Sequence, residues 1–205
     1  MTDSVERMFE QAGALLKGHF LLTSGLHSPV YWEKARVLQY PQYTESLCRM
    51  IADHFRGSGV KVVAGPTTPG IILAYETARQ LGVPARRSAL RHAGVRGIFA
   101  EKDEAGGRVF RRGFEIARGE KVLVVDDIMT TGGSVRDVIN AVTALGGKVA
   151  GVGVLVLRSA QEPDFGVPFF ACHRTEVVTY RPEACPLCAA GIPLVKPGSS
   201  AAKTN

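Results

Sequence analysis

The stretch Val122-Leu123-Val124-Val125-Asp126-Asp127-Ile128-Met129-Thr130-Thr131-Gly132-Gly133-Ser134 narrows the choice of fold more than any other part of the chain. Its aliphatic run reads as a strand buried on both faces, which calls for a parallel sheet with helices on either side. Two carboxylates close the run, and paired acids at a buried strand end cost free energy unless they meet hydrogen-bond donors or a cation. The turn behind them is built from hydroxyl residues and glycines and opens onto a helix with an apolar stripe of Val135, Val138, Ile139, Val142 and Leu145. Backbone N–H groups at 131–134 and the hydroxyls of Thr130, Thr131 and Ser134 can converge on a phosphate at the positive end of that helix. The turn lacks Gly-Lys-Ser/Thr, so it is not a Walker loop. The acids precede the glycines, so it is not a dinucleotide fingerprint. The arrangement reads as a cradle for a phosphorylated ribose, with the acids on the vicinal hydroxyls and the turn on the phosphate; an ordinary strand-turn-helix corner with a hydroxyl-rich N-cap is the alternative.

The rest of the chain is organised around that corner. Ser4 predicts a helix cap, with Val5, Met8, Phe9, Ala12, Leu15 and Leu16 at helical spacing and Gly18 as the stop. Residues 20–25 and 29–33 read as two short strands around a turn at Gly25, and Pro41 opens a further helix. Strands are expected at 60–64, 85–90, 96–100, 121–125, 148–157 and 169–172, and helices at 69–81 and 133–145. Strands alternating with helices in this way predict an α/β fold, a central, mostly parallel twisted sheet flanked by helices. The polar segment 101–112 has the look of a mobile flap, and the tail 196–205 that of a disordered end. At 205 residues and 45% hydrophobic content one domain over 1–195 is expected, with a small N-terminal hood over about 1–40, a core over about 41–172 and a Cys-containing extension over 173–195.

Charge and cysteines limit the function classes. The formal charge of +6 is concentrated at Arg86, Arg87, Arg91, His92 and Arg96, and again at Lys102, Arg108, Arg111 and Arg112. Such clusters suit phosphate-bearing small molecules more than a long nucleic-acid stripe. Neither an export signal nor an apolar stretch of membrane-spanning length is present, so no membrane partner and a cytoplasmic location are expected. The four cysteines are then read as free thiols. Cys172-His173 followed by Cys185-Pro186-Leu187-Cys188 also offers the donors of a structural zinc site built on Cys172, Cys185 and Cys188, with a redox pair or plain packing as alternatives.

On the motif at 122–134 the chain resembles the type I phosphoribosyltransferases. The resemblance implies that Asp126 and Asp127 hold the ribose hydroxyls of phosphoribosyl pyrophosphate (PRPP), and that Ile128, Met129, Thr130, Thr131, Gly132, Gly133 and Ser134 bind around its 5′-phosphate. It also implies Mg2+, carried mainly by PRPP, without confident direct protein ligands. The loop Gly65-Pro66-Thr67-Thr68-Pro69-Gly70 occupies the place of the pyrophosphate loop, with Thr67 and Thr68 as its contacts. Arg158 ends the strand after the motif helix, where it can meet a carboxylate or simply face solvent.

The segment 18–32, with Leu22-Thr23-Ser24-Gly25-Leu26-His27-Ser28-Pro29 before Tyr31-Trp32, is similar to the hood of the orotate-specific branch. That likeness assigns Tyr31, Trp32, Thr130 and Arg158 to orotate and implies a homodimer that shares its flap, in a step of pyrimidine biosynthesis. The chain departs from the branch at Thr23, at Thr68-Pro69 and in a flap without histidine, where Lys102 alone matches a flap cation and is taken as catalytic beside Asp126 and Asp127. Adenine, xanthine or uracil as the base, and a PRPP-sensing nucleic-acid-binding regulator, are the competing readings. His19 and His27 are read as hydrogen-bond formers in loops.

Overall fold

The computed structural model describes residues 4–22, 24–82, 94–176 and 178–197. The strand expected at 85–90, most of the first basic cluster and the tail beyond 197 lie outside the described residues. The chain divides into two compact units, residues 40–175 and a smaller one that combines residues 1–39 with 176–205. The expected hood and C-terminal extension therefore fall in one unit. No described helix is long and apolar enough to cross a membrane.

The larger unit is built on a six-stranded sheet. Its elements are α3 (Pro41–Phe55), β3 (Val62–Pro66), α4 (Pro69–Gly82), β4 (Arg96–Lys102), β5 (Arg108–Phe110), β6 (Lys121–Met129), α5 (Gly133–Ala144), β7 (Lys148–Leu157) and β8 (Phe169–Arg174). Strand order is β5-β4-β3-β6-β7-β8, and all neighbours are parallel except the β4–β5 hairpin. From β3 the chain crosses by α4 to β4, whereas from β6 it crosses by α5 to β7, in the opposite direction along the sheet. Right-handed crossovers in opposite directions place their helices on opposite faces. Accordingly α3 and α4 pack together, while α5 packs on β3, β5, β6 and β7.

Alternation along β6 divides the two faces. Val122 and Val124 join Val62, Ala64, Val152, Val154 and the α5 residues Val135, Val138 and Val142 in one buried cluster. Leu123 and Val125, fully buried, point to the other face, opposite Gly151 and Gly153 of β7. Those glycines admit α3: a Cβ at Gly151 would lie 2.3 Å from Phe55 Cε1, and one at Gly153 would lie 2.5 Å from Ile51 Cγ2.

In the smaller unit, α1 (Val5–Gln11) is capped by Ser4, whose Oγ accepts from the Arg7 N–H at 3.3 Å. The helix stops earlier than its apolar spacing predicts. Gly13 turns the chain at φ +62°, and Leu15 and Leu16 instead enter β1 (Leu15–Leu21), paired antiparallel with Trp32 and Tyr31 of β2 (His27–Trp32). Strand pairing thus outweighs the helical period of those two leucines. The ladder carries a bulge, since Gly18 and His19 together oppose Pro29 between the pairs Lys17↔Val30 and Phe20↔Ser28. Short helices α2 (Lys34–Leu38) and α6 (Pro186–Ala189) complete the unit, with a 3-10 turn at Pro182–Ala184.

The glycine–helix contact on β7 is open to test. Gly153→Ala is expected to lower stability by about 1–3 kcal/mol through overpacking. In urea denaturation the loss should be largely absent when Ile51→Ala is introduced in the same chain, since the two changes share one space.

Candidate active site

The carboxyl ends of β3 and β6 lie side by side at the point where the crossovers diverge. In open α/β sheets this divergence leaves a crevice in which ligands bind. The loops that follow these two strands, at 67–68 and 130–132, lie in the segments singled out from sequence.

The β6 strand runs further than expected. It ends at Met129 and not at Val125, because Asp126, Ile128 and Met129 continue the parallel register with Val154, Val156 and Leu157. The two acids are therefore held within the ladder and are rigid. Both are buried, Asp126 to 8% and Asp127 to 1% exposure. The Asp127 N–H donates to Asp126 Oδ1 at 2.9 Å, and the Ile128 N–H donates to Asp127 Oδ1 at 2.6 Å. Each carboxylate is thus fixed by the amide that follows it.

Beyond Met129, Thr130 and Thr131 are exposed, and Gly132 caps α5 in the left-handed region at φ 80°. A side chain at Gly132 would be strained there, and its Cβ would lie 2.8 Å from Phe165 Cζ. No side chain caps α5, and its first turn contains no acid. The start of the helix therefore presents N–H groups and a positive dipole end with Ser134 exposed beside them. Arg158 follows β7, and its N–H donates to the Met129 carbonyl at 2.7 Å, which sets it next to Thr130 on the same edge of the sheet.

The β3 loop is tightly closed. A Cβ at Gly65 would stand 2.6 Å from the carbonyl oxygen of Gly70, so glycine is needed for the backbones to meet. Thr67 donates its N–H to Ala100 O at 3.0 Å, the Thr67–Thr68 peptide is cis, and Thr68 is exposed. The expected flap is a β-hairpin, since β4 extends to Lys102, the chain turns at Asp103 to Gly107, and β5 returns from Arg108.

Charge within the hairpin is unevenly matched. Glu101 pairs with Arg112 and lies 3.9 Å from Arg111, so much of their charge is neutralised. Arg108 donates from Nη1 to Thr67 Oγ1 at 3.0 Å and to the carbonyls of Ala100 and Thr67 at 3.3 and 3.4 Å. These acceptors leave its charge in place. Arg108 thus ties the hairpin to the β3 loop, a role that its place in a basic run did not reveal. Lys102 is exposed at the tip of β4 and enters no salt bridge among the described residues.

Two assignments made from sequence are corrected. Cys172 is not part of a zinc site with Cys185 and Cys188, because β8 sends its thiol into the core of the larger unit, where it donates to Leu47 O at 3.5 Å. Burial, reinforced by the neighbouring Cys48, raises its pKa, and burial pushes the Cys48 thiol up to about 12. His19 and His27 are not loop residues; they lie on β1 and β2 and are buried. Tyr31 and Trp32 belong to the smaller unit, where Trp32 packs edge-on to Phe9 at 4.9 Å and Tyr31 lies 5.8 Å from the Phe20 ring.

Comparison with known proteins agrees with this geometry. The phosphoribosyl transferase domain model matches residues 36–169, so the sheet and its acid-bearing corner are those of a phosphoribosyltransferase. An orotate phosphoribosyltransferase of Pelotomaculum thermopropionicum is 53% identical over 96% of this chain and 97% of its own length. Its counterpart from Caldanaerobacter subterraneus subsp. tengcongensis is 50% identical with the same coverage. Among solved structures, the orotate phosphoribosyltransferase of Aeropyrum pernix superposes with a TM-score of 0.65 at 22% identity, over 83% of this chain and 93% of that one. An adenine phosphoribosyltransferase of Thermoanaerobacter pseudethanolicus reaches 0.56 at 18% identity, over 71% and 88%, so the fold is shared by enzymes for different bases. The chain belongs to the orotate phosphoribosyltransferase family.

The thiol environments give a direct check. With Cys48 at about 12, roughly one thiol in ten thousand is ionised at pH 8, and Cys172 is shifted in the same direction. Neither is expected to react with a thiol reagent in the native protein at pH 8, and both should react at once in urea.

Proposed function

We propose that the chain transfers the 5-phosphoribosyl group of PRPP to orotate, giving orotidine 5′-phosphate and pyrophosphate in pyrimidine biosynthesis. A bond forms between a ring nitrogen of orotate and the anomeric carbon as the bond from that carbon to pyrophosphate breaks. One observation carries the reading: two buried, amide-fixed aspartates and an uncapped, acid-free helix start share one corner at the switch point of the sheet.

In this reading Asp126 and Asp127 accept hydrogen bonds from the ribose hydroxyls. The amides at the start of α5 and the hydroxyls of Thr130, Thr131 and Ser134 hold the 5′-phosphate. The β3 loop, with Thr67 and Thr68, takes the pyrophosphate. Arg158 meets the carboxylate of orotate in a charge-assisted pair, with Thr130 beside it. Tyr31 and Trp32 are assigned to the base on the hood motif alone. Lys102 is the mobile cation that neutralises the departing pyrophosphate, and in a homodimer it reaches the neighbouring subunit's site. Adjacent carboxylates are hard oxygen donors, so the corner fits a PRPP that brings Mg2+ with it. When bound, the ion spreads the charge that builds on the leaving pyrophosphate. Four free thiols suit a cytoplasmic enzyme.

Orotate consumption, followed by absorbance, is expected to require both PRPP and magnesium, with no turnover of adenine, xanthine or uracil. Turnover of one of those bases in place of orotate would overturn the specificity. Arg158→Ala should raise KM for orotate by roughly 10- to 100-fold, the loss of a hydrogen bond to a charged group, and leave KM for PRPP near its starting value. Lys102→Ala should lower kcat by about 100-fold or more. Unchanged turnover in that variant would remove Lys102 from the mechanism.

A further inference from the structure

Within the smaller unit, two histidines and two cysteines that the proposed reaction does not use converge on one point. His19 Nε2 lies 2.9 Å from His27 Nδ1. Cys185 Sγ is 3.5 Å from His19 Nε2, and Cys188 Sγ is 3.8 Å from His19 Nε2 and 3.4 Å from His27 Nδ1. All four atoms fall within 4.8 Å of one another. A tetrahedron with metal–nitrogen bonds of about 2.0–2.1 Å and metal–sulfur bonds of about 2.3 Å has edges of about 3.3–3.8 Å. Three of the four distances, 3.4, 3.5 and 3.8 Å, match those edges, and the two imidazole nitrogens at 2.9 Å need only part by about 0.4 Å to take a common centre.

The tautomer of His19 agrees. Its Nδ1 sits 2.7 Å from the carbonyl oxygen of Ile192, which can only accept, so Nδ1 carries the proton and Nε2 directs its lone pair at the cluster. An outer hydrogen bond of this kind is the usual support of a metal-bound imidazole. The β1 bulge falls at this residue: Gly18 and His19 together oppose Pro29, and His19 and Phe20 are both buried.

We propose that His19, His27, Cys185 and Cys188 bind one structural zinc ion. Two imidazoles and two thiolates in tetrahedral reach select zinc, and four protein ligands leave no open position for catalysis. The ion fastens the C-terminal segment to the hairpin. That segment buries little of its own: Cys185 is its only buried residue among those described, and Val178, Ile192, Leu194 and Val195 are 40–55% exposed. Its backbone meets the hairpin at the two histidines, through the His27–Tyr180 pair at 2.9 and 2.8 Å and the Val195 N–H to His19 O bond at 2.8 Å. A unit this small, with a two-stranded sheet and few buried side chains, is the kind that a metal staple stabilises.

Zinc is to be measured in untagged protein after incubation with equimolar zinc and gel filtration, with about one ion per chain expected. Cobalt(II) in its place should give the intense visible bands of a tetrahedral site and a thiolate charge-transfer band in the near ultraviolet. Cys188→Ser and His27→Ala should each lose the metal, whereas Cys172→Ser should retain it. Should the first two variants fail to fold, the unaltered chain decides: a chelator should lower its Tm by several degrees and zinc should restore it. Folded wild-type protein without bound zinc, zinc retained by both His27→Ala and Cys188→Ser, cobalt spectra without thiolate bands, or an intact mass showing a Cys185–Cys188 disulfide would each overturn the proposal.

Discussion

The parallel pairing of β3 with β6 is the constraint on which the rest of the larger unit depends. Because the two strands share a register and their crossovers run opposite ways, the loops that leave them must part at the carboxyl edge. Into that gap β6 delivers two acids without a break in its ladder, and β3 delivers a loop closed by backbone contact between Gly65 and Gly70. Strand pairing sets the acids and the turns beside them leave backbone N–H groups at the crevice, a division that suits the proposed reaction, in which a sugar is gripped while its leaving group departs.

Electrostatics around the crevice is graded by what each cation is paired with. Glu101 draws charge from Arg111 and Arg112, while Arg108 spends its donors on neutral oxygens and joins the hairpin to the β3 loop. Lys102 stands exposed at the tip of the same strand. A cation that must follow a leaving anion is better placed on such a tip than within a fixed ion pair, since a paired guanidinium would first have to give up its partner.

The cysteines divide into two populations by the unit that holds them. Cys48 and Cys172 are apolar fillers of the larger unit, and their burial opposes ionisation. Cys185 and Cys188 face imidazoles in the smaller unit, where a bound cation would favour the thiolate. The same element therefore packs a core in one unit and gathers as ligands in the other.

Local patterns made much of this legible. The aliphatic run into Asp126-Asp127 and the glycine-hydroxyl turn, read with strand–helix alternation, determined the sheet, the corner where the two acids meet a helix start, and the family, because each depends on residues adjacent in the chain. The helical spacing of Leu15 and Leu16 misled, since their strand pairing with Tyr31 and Trp32 is formed across a turn. Arg108's hold on Thr67 and the departure of Cys172 from Cys185 and Cys188 were likewise hidden, for they join residues dozens of positions apart. His19 reaches Cys185 across 166 positions, from a bulged position of β1. Sequence by itself determined which groups could bind a phosphorylated sugar; only the tertiary structure decided which distant donors meet, because that follows from strand register and not from spacing along the chain.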